Sequence, residues 1–233
     1  QNVTFHYSQG AENENFDYIY DFLQVTDVES PINVTFDGCT LEIYKSLFKG
    51  DLVVLENKQK INLNITKLTY HNMSTSKELL SYGILRADNN INAVLDQIDV
   101  EGLLLSKNSL ISISCSQSSP TFGEVKVTNS TFKLLNMSAS SSIFYVSTDS
   151  NQKDIFALTI SLSQVNFSNI ISSDAGPIFQ VSTSKLISAS SSGDSNVMKV
   201  IECNFQSIKS SKGAVYYGKH LQNSATISFE KSS

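Results

Sequence analysis

The sequence predicts an all-β fold, a β-solenoid of about six to seven coils. Three observations lead to this prediction. Ser, Asn and β-branched residues dominate a chain that has no Trp and only three Pro, a composition that disfavours long helices. Apolar residues recur at fixed offsets every 29–38 residues. Within each recurrence, the alternation of strand residues breaks at the same two places.

The recurring pattern has apolar residues at offsets −7, −5, −2, 0 and +3 from a residue that we call position zero. In six copies, position zero is occupied by Leu41, Tyr70, Val100, Phe132, Phe167 and Phe205. Apolar residues fill 29 of the 30 pattern positions, and the exception is Ser130. At 40% hydrophobic composition, chance would fill about 12. The pattern therefore indicates a structural repeat.

The offsets themselves indicate strands joined by bends. Steps of two place successive apolar side chains on one face of a strand. The steps of three, from −5 to −2 and from 0 to +3, need a bend or bulge that turns the next side chain inward again. An antiparallel sandwich is the main competing fold, but it does not explain a break at a fixed offset. Ankyrin and tetratricopeptide repeats have similar periods, but they need helices.

A second apolar strand follows position zero in every copy, and several of these strands open with Gly, which can take the positive φ of a tight corner. These strands span residues 50–55, 82–87, 109–114, 142–146, 176–181 and 213–218.

We expect a single domain over residues 1–233, with an acidic, partial first coil at 1–31 and the start of a further coil at 219–233. Residues 1–44 carry eight acidic residues and no Lys or Arg, whereas residues 199–233 carry five Lys and two Glu. Unpaired strand edges invite pairing with another chain. We therefore expect head-to-tail self-association into a filament, in which strand pairing supplies most of the strength and opposite charges assist.

Two segments resemble a known repeat family. The elements "NFSNI…AGPIF" (166–179) and "CNFQSI…KGAVY" (203–216) are similar to the Phe-x-x-Asn and Gly-Gly-Ala-Ile/Val/Leu elements of right-handed parallel β-helix proteins of the polymorphic-outer-membrane-protein type and related protist surface proteins. Single Gly replaces the Gly pair, and Pro177 interrupts one copy. The resemblance implies a right-handed parallel β-helix.

Seven Asn-x-Ser/Thr sequons are candidate N-glycosylation sites. They lie at Asn2, Asn33, Asn64, Asn72, Asn129, Asn136 and Asn166. Asn64 and Asn166 stand between inward-facing positions, so a sugar attached there should project outward. Seven sequons in a β-rich chain of low charge favour a secreted eukaryotic glycoprotein, located outside the cell or at its surface.

The three cysteines are expected to be reduced and buried. Cys39 and Cys203 share offset −2 but lie five coils apart, a separation of about 24 Å at the strand spacing. A disulfide needs Cα atoms within about 7 Å. Cys115 lies on a different strand, two or more coils from each. An intermolecular bridge remains the alternative.

We expect no catalytic, cofactor-binding or metal-binding residues. His6, His71 and His220 are scattered, and Arg86 is the only Arg. Asp96 and Asp99 lie close together, but no acid stands one coil away from Asp99 at the same offset. The net charge of −5 argues against nucleic-acid binding. No apolar run approaches the roughly 18 residues of a transmembrane helix.

The sequence therefore favours a secreted, glycosylated structural or surface protein, such as a filament, coat or adhesin stalk. A carbohydrate-binding or carbohydrate-cleaving β-helix protein is the second interpretation. A bacterial autotransported passenger is the third, and extensive glycosylation would exclude it.

Overall fold

The computed structural model is a parallel β-solenoid, as predicted. It describes residues 4–5, 23–26, 31–43, 51–56, 60–72, 83–88, 91–115, 121–138, 140–148, 156–174, 176–182, 196–219 and 225–233. These residues form 22 strands, numbered in chain order, and contain no helix. The strands belong to three sheets, which the chain visits in turn. Every strand pair is parallel, so each sheet grows by one level per coil.

The three sheets are the faces of the solenoid. Sheet 1 contains β3 (Ile32–Asp37), β6 (Ile61–Thr66), β9 (Ile91–Asp96), β13 (Thr121–Thr128), β16 (Phe156–Ser163), β19 (Asn196–Ile201) and β22 (Ala225–Glu230). Sheet 2 contains β1 (Thr4–Phe5), β4 (Thr40–Ile43), β7 (Thr69–Asn72), β10 (Asp99–Glu101), β11 (Leu104–Ser106), β14 (Thr131–Ser138), β17 (Asn166–Ser172) and β20 (Asn204–Lys209). Sheet 3 contains β2 (Leu23–Thr26), β5 (Val53–Glu56), β8 (Leu85–Asp88), β12 (Ile111–Cys115), β15 (Phe144–Thr148), β18 (Phe179–Ser182) and β21 (Tyr216–Lys219).

The position-zero residues stack in one ladder on sheet 2, which confirms the repeat period. Successive members are paired in register from Leu41 through Tyr70, Val100, Phe132 and Phe167 to Phe205. The Phe132 and Phe167 ring centroids are 5.4 Å apart, and those of Phe167 and Phe205 are 5.0 Å apart, with nearly parallel planes. Phe132 and Phe167 are fully buried.

The first predicted bend is made by one residue at offset −3, between sheets 1 and 2. This residue has a positive φ of 49–65° in each of seven coils. The seven residues are Gly38, Lys67, Gln97, Asn129, Gln164, Glu202 and Lys231. Six of them carry a side chain, although this conformation disfavours L-residues other than Gly and Asn. Their side chains are exposed, so the bend needs no inward space.

Backbone hydrogen bonds continue through this bend. The Gln164 N–H donates to the Ile201 carbonyl of the following coil at 3.0 Å. Two residues later, the Asn166 N–H donates to the Ser130 carbonyl of the preceding coil at 2.9 Å. The same pairing recurs in neighbouring coils, so the N–H groups at offsets −3 and −1 keep backbone acceptors through the corner.

The second predicted bend lies at offset +2. Gly102, Leu134, Asn169 and Ser207 hold this offset in successive coils, and all four have positive φ values of 53–73°. Because the chain turns here, the apolar residue at +3 points inward again, and Leu135 and Ile170 are buried.

Glycine opens some sheet 3 strands for two different reasons. Gly176 and Gly213 have φ values of 61° and 56°, as predicted. Gly83 instead lacks room for a side chain, because a Cβ there would lie 2.5 Å from the Ser109 carbonyl oxygen and from an Asp51 carboxylate oxygen.

Candidate functional site

The structure describes six of the seven predicted glycosylation sites, and Asn2 lies outside the described residues. Asn33 and Asn64 are in β3 and β6 on sheet 1. Three more are on sheet 2, at Asn72, Asn136 and Asn166, and Asn129 is at the bend between the two sheets. Five of the six side chains are exposed, and that of Asn72 is partly exposed.

Strand alternation explains this exposure. Ile65 separates Asn64 from Thr66, and Phe167 separates Asn166 from Ser168; both apolar residues are fully buried. The asparagine and the hydroxyl residue of each sequon therefore lie on the same outer face of the strand. The predicted outward orientation of Asn64 and Asn166 is confirmed, whereas the attachment of sugars stays a prediction.

The sequons are distributed unevenly around the solenoid. Sheets 1 and 2 and the bend between them carry all those that the structure describes, and the strands of sheet 3 contain no Asn. Any glycans on the described coils would therefore extend from two faces and from the bend between them, and the third face would stay free of them.

The Asn129 side chain joins a hydrogen-bonded group at the bend. Asn129 Nδ2 donates to Asp96 Oδ1 at 2.8 Å, and Thr128 Oγ1 donates to the same oxygen at 2.6 Å. Both hydrogen bonds favour the charged carboxylate and so lower the pKa of Asp96 below its usual value, and the bond from Thr128 has the larger effect. Gln97 Nε2 adds a longer contact to Asp96 Oδ2 at 3.4 Å.

A cluster of acidic and basic side chains lies on the outer face of sheet 2. His71 Nε2 is 3.2 Å from Asp99 Oδ2 and 3.9 Å from Glu101 Oε2. Lys133 Nζ is 3.1 Å from Glu101 Oε2 and 3.8 Å from Asp99 Oδ1. The hydrogen bond to Glu101 raises the pKa of Lys133 above its ordinary value. Three adjacent coils are thus joined by two carboxylates that lie between two basic groups.

Sequence reasoning missed this cluster. It correctly found no acid at the offset of Asp99 in the neighbouring coils, but Glu101 supplies a second carboxylate on the same strand. Glu101 is in register with His71 on one side and Lys133 on the other. Comparing the residues at offset +1 would have revealed this row. His71 is therefore not isolated, whereas His6 and His220 lie outside the described residues.

The remaining acidic and basic candidates lie in separate places. Asp96 belongs to the group at the bend, whereas Asp99 belongs to the sheet 2 cluster. Arg86 lies on sheet 3, where its Nε is 3.6 Å from Asp51 Oδ2. Among the described residues, no group of three or more His, Cys, Asp or Glu side chains is arranged to hold a metal ion.

Cys39 and Cys203 are free and buried, as predicted. Their thiols lie near the carbonyl oxygens two residues earlier, at 3.9 Å from Asp37 and 3.4 Å from Ile201. Burial raises the pKa of both thiols. Cys115 ends β12, but its side chain lies outside the described part of the structure, so its state stays a prediction.

Ser130, the exception to the repeat pattern, is buried at the same offset as these two thiols and forms the corresponding contact. Its hydroxyl donates to the Thr128 carbonyl at 2.6 Å and accepts from the Ile98 N–H at 3.0 Å. Offset −2 therefore accepts a small polar side chain if its hydroxyl or thiol donates a hydrogen bond to the backbone carbonyl two residues earlier.

Comparison of the chain with protein-family models, with curated proteins and with solved structures found no match. The described part of the chain contains no helix of the length and hydrophobicity needed to cross a membrane.

Proposed function

We propose that this chain is a structural β-solenoid of a secreted or cell-surface glycoprotein, with N-linked glycans on sheets 1 and 2. The outward position of the six described sequon asparagines carries this proposal. A sequon that fell by chance on the inner face of a strand would bury its asparagine. Here all six lie on outer faces or at the bend, and none points into the apolar core. We further propose that the chain is related to repeat proteins of the polymorphic-outer-membrane-protein type and their protist counterparts.

We also propose that the solenoid stacks end to end. Parallel strands in register can be extended by a strand from another copy, since each level presents the same backbone groups. Lys199, Lys209, Lys212 and Lys231 have exposed side chains in the last described coils, and residues 1–44 carry eight acidic residues and no Lys or Arg. This charge difference favours a head-to-tail over a head-to-head arrangement.

The sheet 2 cluster favours the second interpretation, a carbohydrate-binding or carbohydrate-cleaving protein. Carboxylates beside basic groups on adjacent coils are the residue types that β-helix enzymes use on acidic polysaccharides. The shortest contacts of Asp99 and Glu101, however, are 3.2 Å to His71 and 3.1 Å to Lys133 in the adjacent coils, which supports a role in joining coils. Among the described residues, Asp99 Oδ1 itself has no hydrogen-bond partner. A binding screen with neutral and acidic polysaccharides, comparing the native protein with a Glu101→Gln variant, tests this alternative.

Glycopeptide mapping of protein from its native source tests the leading proposal. Enzymatic release of N-glycans in ¹⁸O water converts each occupied asparagine to an ¹⁸O-labelled aspartate. We expect the label at the sequon asparagines and not at Asn62, Asn92 or Asn204, which are outside sequons. Absence of label from every sequon would reject the glycoprotein proposal. Electron microscopy of the same material tests the stacking, and single particles without end-to-end contacts would reject it.

A further inference from the structure

Four large hydrophobic side chains are exposed among the described residues: Val94, Leu134, Ile171 and Phe229, with exposed fractions of 40%, 51%, 52% and 50%. Three of these four are immediate neighbours of a sequon asparagine. Phe229 is the exception, and its ring packs edge-on against Phe205 at 6.3 Å between centroids. The exposure of the other three needs a separate explanation, since outer faces of this solenoid are otherwise mainly polar.

Asn136 lies in the middle of the larger apolar patch. It is in register with Leu104 of the preceding coil and with Ile171 of the following coil. Leu134 lies two residues before Asn136 on the same strand. The side chains of Leu134 and Asn136 are exposed, and Leu135 between them is buried. Neighbouring strands are about 4.8 Å apart, so these apolar side chains surround Asn136 on three sides.

Leu134 is also in an unfavourable backbone conformation. Its φ is 55°, a value that costs most L-residues about 1–2 kcal/mol. Gly102, Asn169 and Ser207 hold the same offset in other coils, and Gly and Asn are the residues that accept this conformation. Neither the backbone conformation nor burial therefore favours Leu over a polar residue at this position.

The second case is Asn64 on sheet 1. Asn64 is in register with Val94 of the following coil, and Val94 is exposed although it is apolar. By contrast, Asn166 is in register with Thr131 and Asn204, and Asn33 with Asn62. Asn136 and Asn64 thus have exposed apolar neighbours, although Asn64 is also in register with Thr35 of the preceding coil, whereas the described strand partners of Asn166 and Asn33 are polar.

We infer that N-glycans at Asn136 and Asn64 pack over these apolar side chains and shield them from other molecules. The first sugar is attached at Nδ2, and neighbouring strands are about 4.8 Å apart, so its ring can reach the adjacent level of the sheet. A pyranose ring has an apolar face of C–H groups, and the acetamido methyl group adds to it. Both can contact aliphatic side chains while the sugar hydroxyls face water. This inference rests on the proposed glycosylation and goes beyond it, because it assigns a shielding role to two specific sites.

The test uses the full chain secreted from eukaryotic cells, with glycan occupancy of each site confirmed by mass spectrometry. Asn136→Gln and Asn64→Gln remove the shielding glycans, and Asn166→Gln is the matched control beside polar neighbours. Ser138→Ala removes the Asn136 glycan and keeps the asparagine. We expect the first two variants and Ser138→Ala to bind more of a hydrophobic dye and to lose monomer on size-exclusion chromatography, whereas the control behaves like the unmutated protein.

A second set of variants removes the apolar patch itself. In the Asn136→Gln background, Leu134→Asn together with Ile171→Lys should restore the monomer and abolish the additional dye binding; Lys is the residue of the next coil in register with Ile171. If Asn136 is occupied and Asn136→Gln behaves like Asn166→Gln, the shielding role is wrong and the glycoprotein proposal stands. If native protein carries glycans at other sequons but not at Asn64 and Asn136, the shielding role is again wrong. If no sequon is occupied, both proposals fail.

Discussion

Replacing Phe167 with Ala should strongly destabilise the solenoid. The Phe167 side chain is fully buried and is stacked between Phe132 at 5.4 Å and Phe205 at 5.0 Å. Truncation of a buried Phe costs about 3–5 kcal/mol. Each aromatic pair contributes about 0.5–1.5 kcal/mol beyond the buried area. Because two such pairs are lost, we expect a cost near the upper end, about 4–5 kcal/mol.

Urea and thermal denaturation of the purified variants measure this cost. For a chain of this size, 1 kcal/mol shifts the melting temperature by about 2–4 °C, so Phe167→Ala should lower it by roughly 8–20 °C. Phe167→Leu keeps most of the volume and should cost less than about 2 kcal/mol. Phe205→Ala should also cost less, since Phe205 is only partly buried. A cost for Phe167→Ala below about 0.5 kcal/mol, the range usual for surface sites, would refute the stacked ladder.

Three further predictions concern the bends and the buried polar groups, and each is checked by urea denaturation. Gln164 has a φ of 57°, so Gln164→Val should be about 1–2 kcal/mol less stable than Gln164→Gly, which avoids the left-handed cost of an L-residue; equal stability of the two variants would contradict the bend. Ser130→Ala should cost about 1–3 kcal/mol because it leaves the buried Ile98 N–H without its acceptor, and Ser130→Cys should cost less; an Ala variant as stable as the parent would contradict this hydrogen bond. Burial raises the pKa of Cys39 and Cys203 above the ordinary 9.0, so the folded state keeps protons that the unfolded state has lost. Stability should therefore fall as the pH rises above about 9; the fall should be smaller in the Cys39→Ser/Cys203→Ser double variant, and neither thiol should react with a maleimide before denaturation.

The repeat pattern predicted the register of the solenoid because the inner face imposes the same requirement in every coil. Between the first and the last described coils, a side chain at offset −5, −2 or 0 points into the core, so it must be apolar or small and hydrogen-bonded. Parallel stacking then pairs like offsets with like offsets. The two steps of three in the pattern also predicted the two bends. Residues three apart on a straight strand point to opposite faces, so the chain must turn between them if both are to face the core.

The residues that make the bends were not predictable from the pattern. Lys67, Gln97 and Gln164 adopt positive φ values although their intrinsic preferences disfavour them. Hydrogen bonds to the neighbouring coils hold these backbones in place, and those bonds exist only after stacking. The hydrogen bonds of Ser130 with Thr128 and Ile98 could not be predicted for the same reason. In the sequence, Ser130 is only an exception to the apolar pattern, and its partner Ile98 belongs to the preceding coil.

The sequence by itself determined which side chains face inward, because burial follows offset and offset repeats along the chain. Only the tertiary structure decided what the outward side chains meet. His71, Asp99 and Lys133 come from three coils, and Asn136 and Ile171 from two, so their contacts depend on stacking. The inner face allows few residue types and leaves a strong periodic signal, whereas solvent tolerates almost any residue on the outer face. The contacts of the outer face therefore have to be taken from the stacked structure.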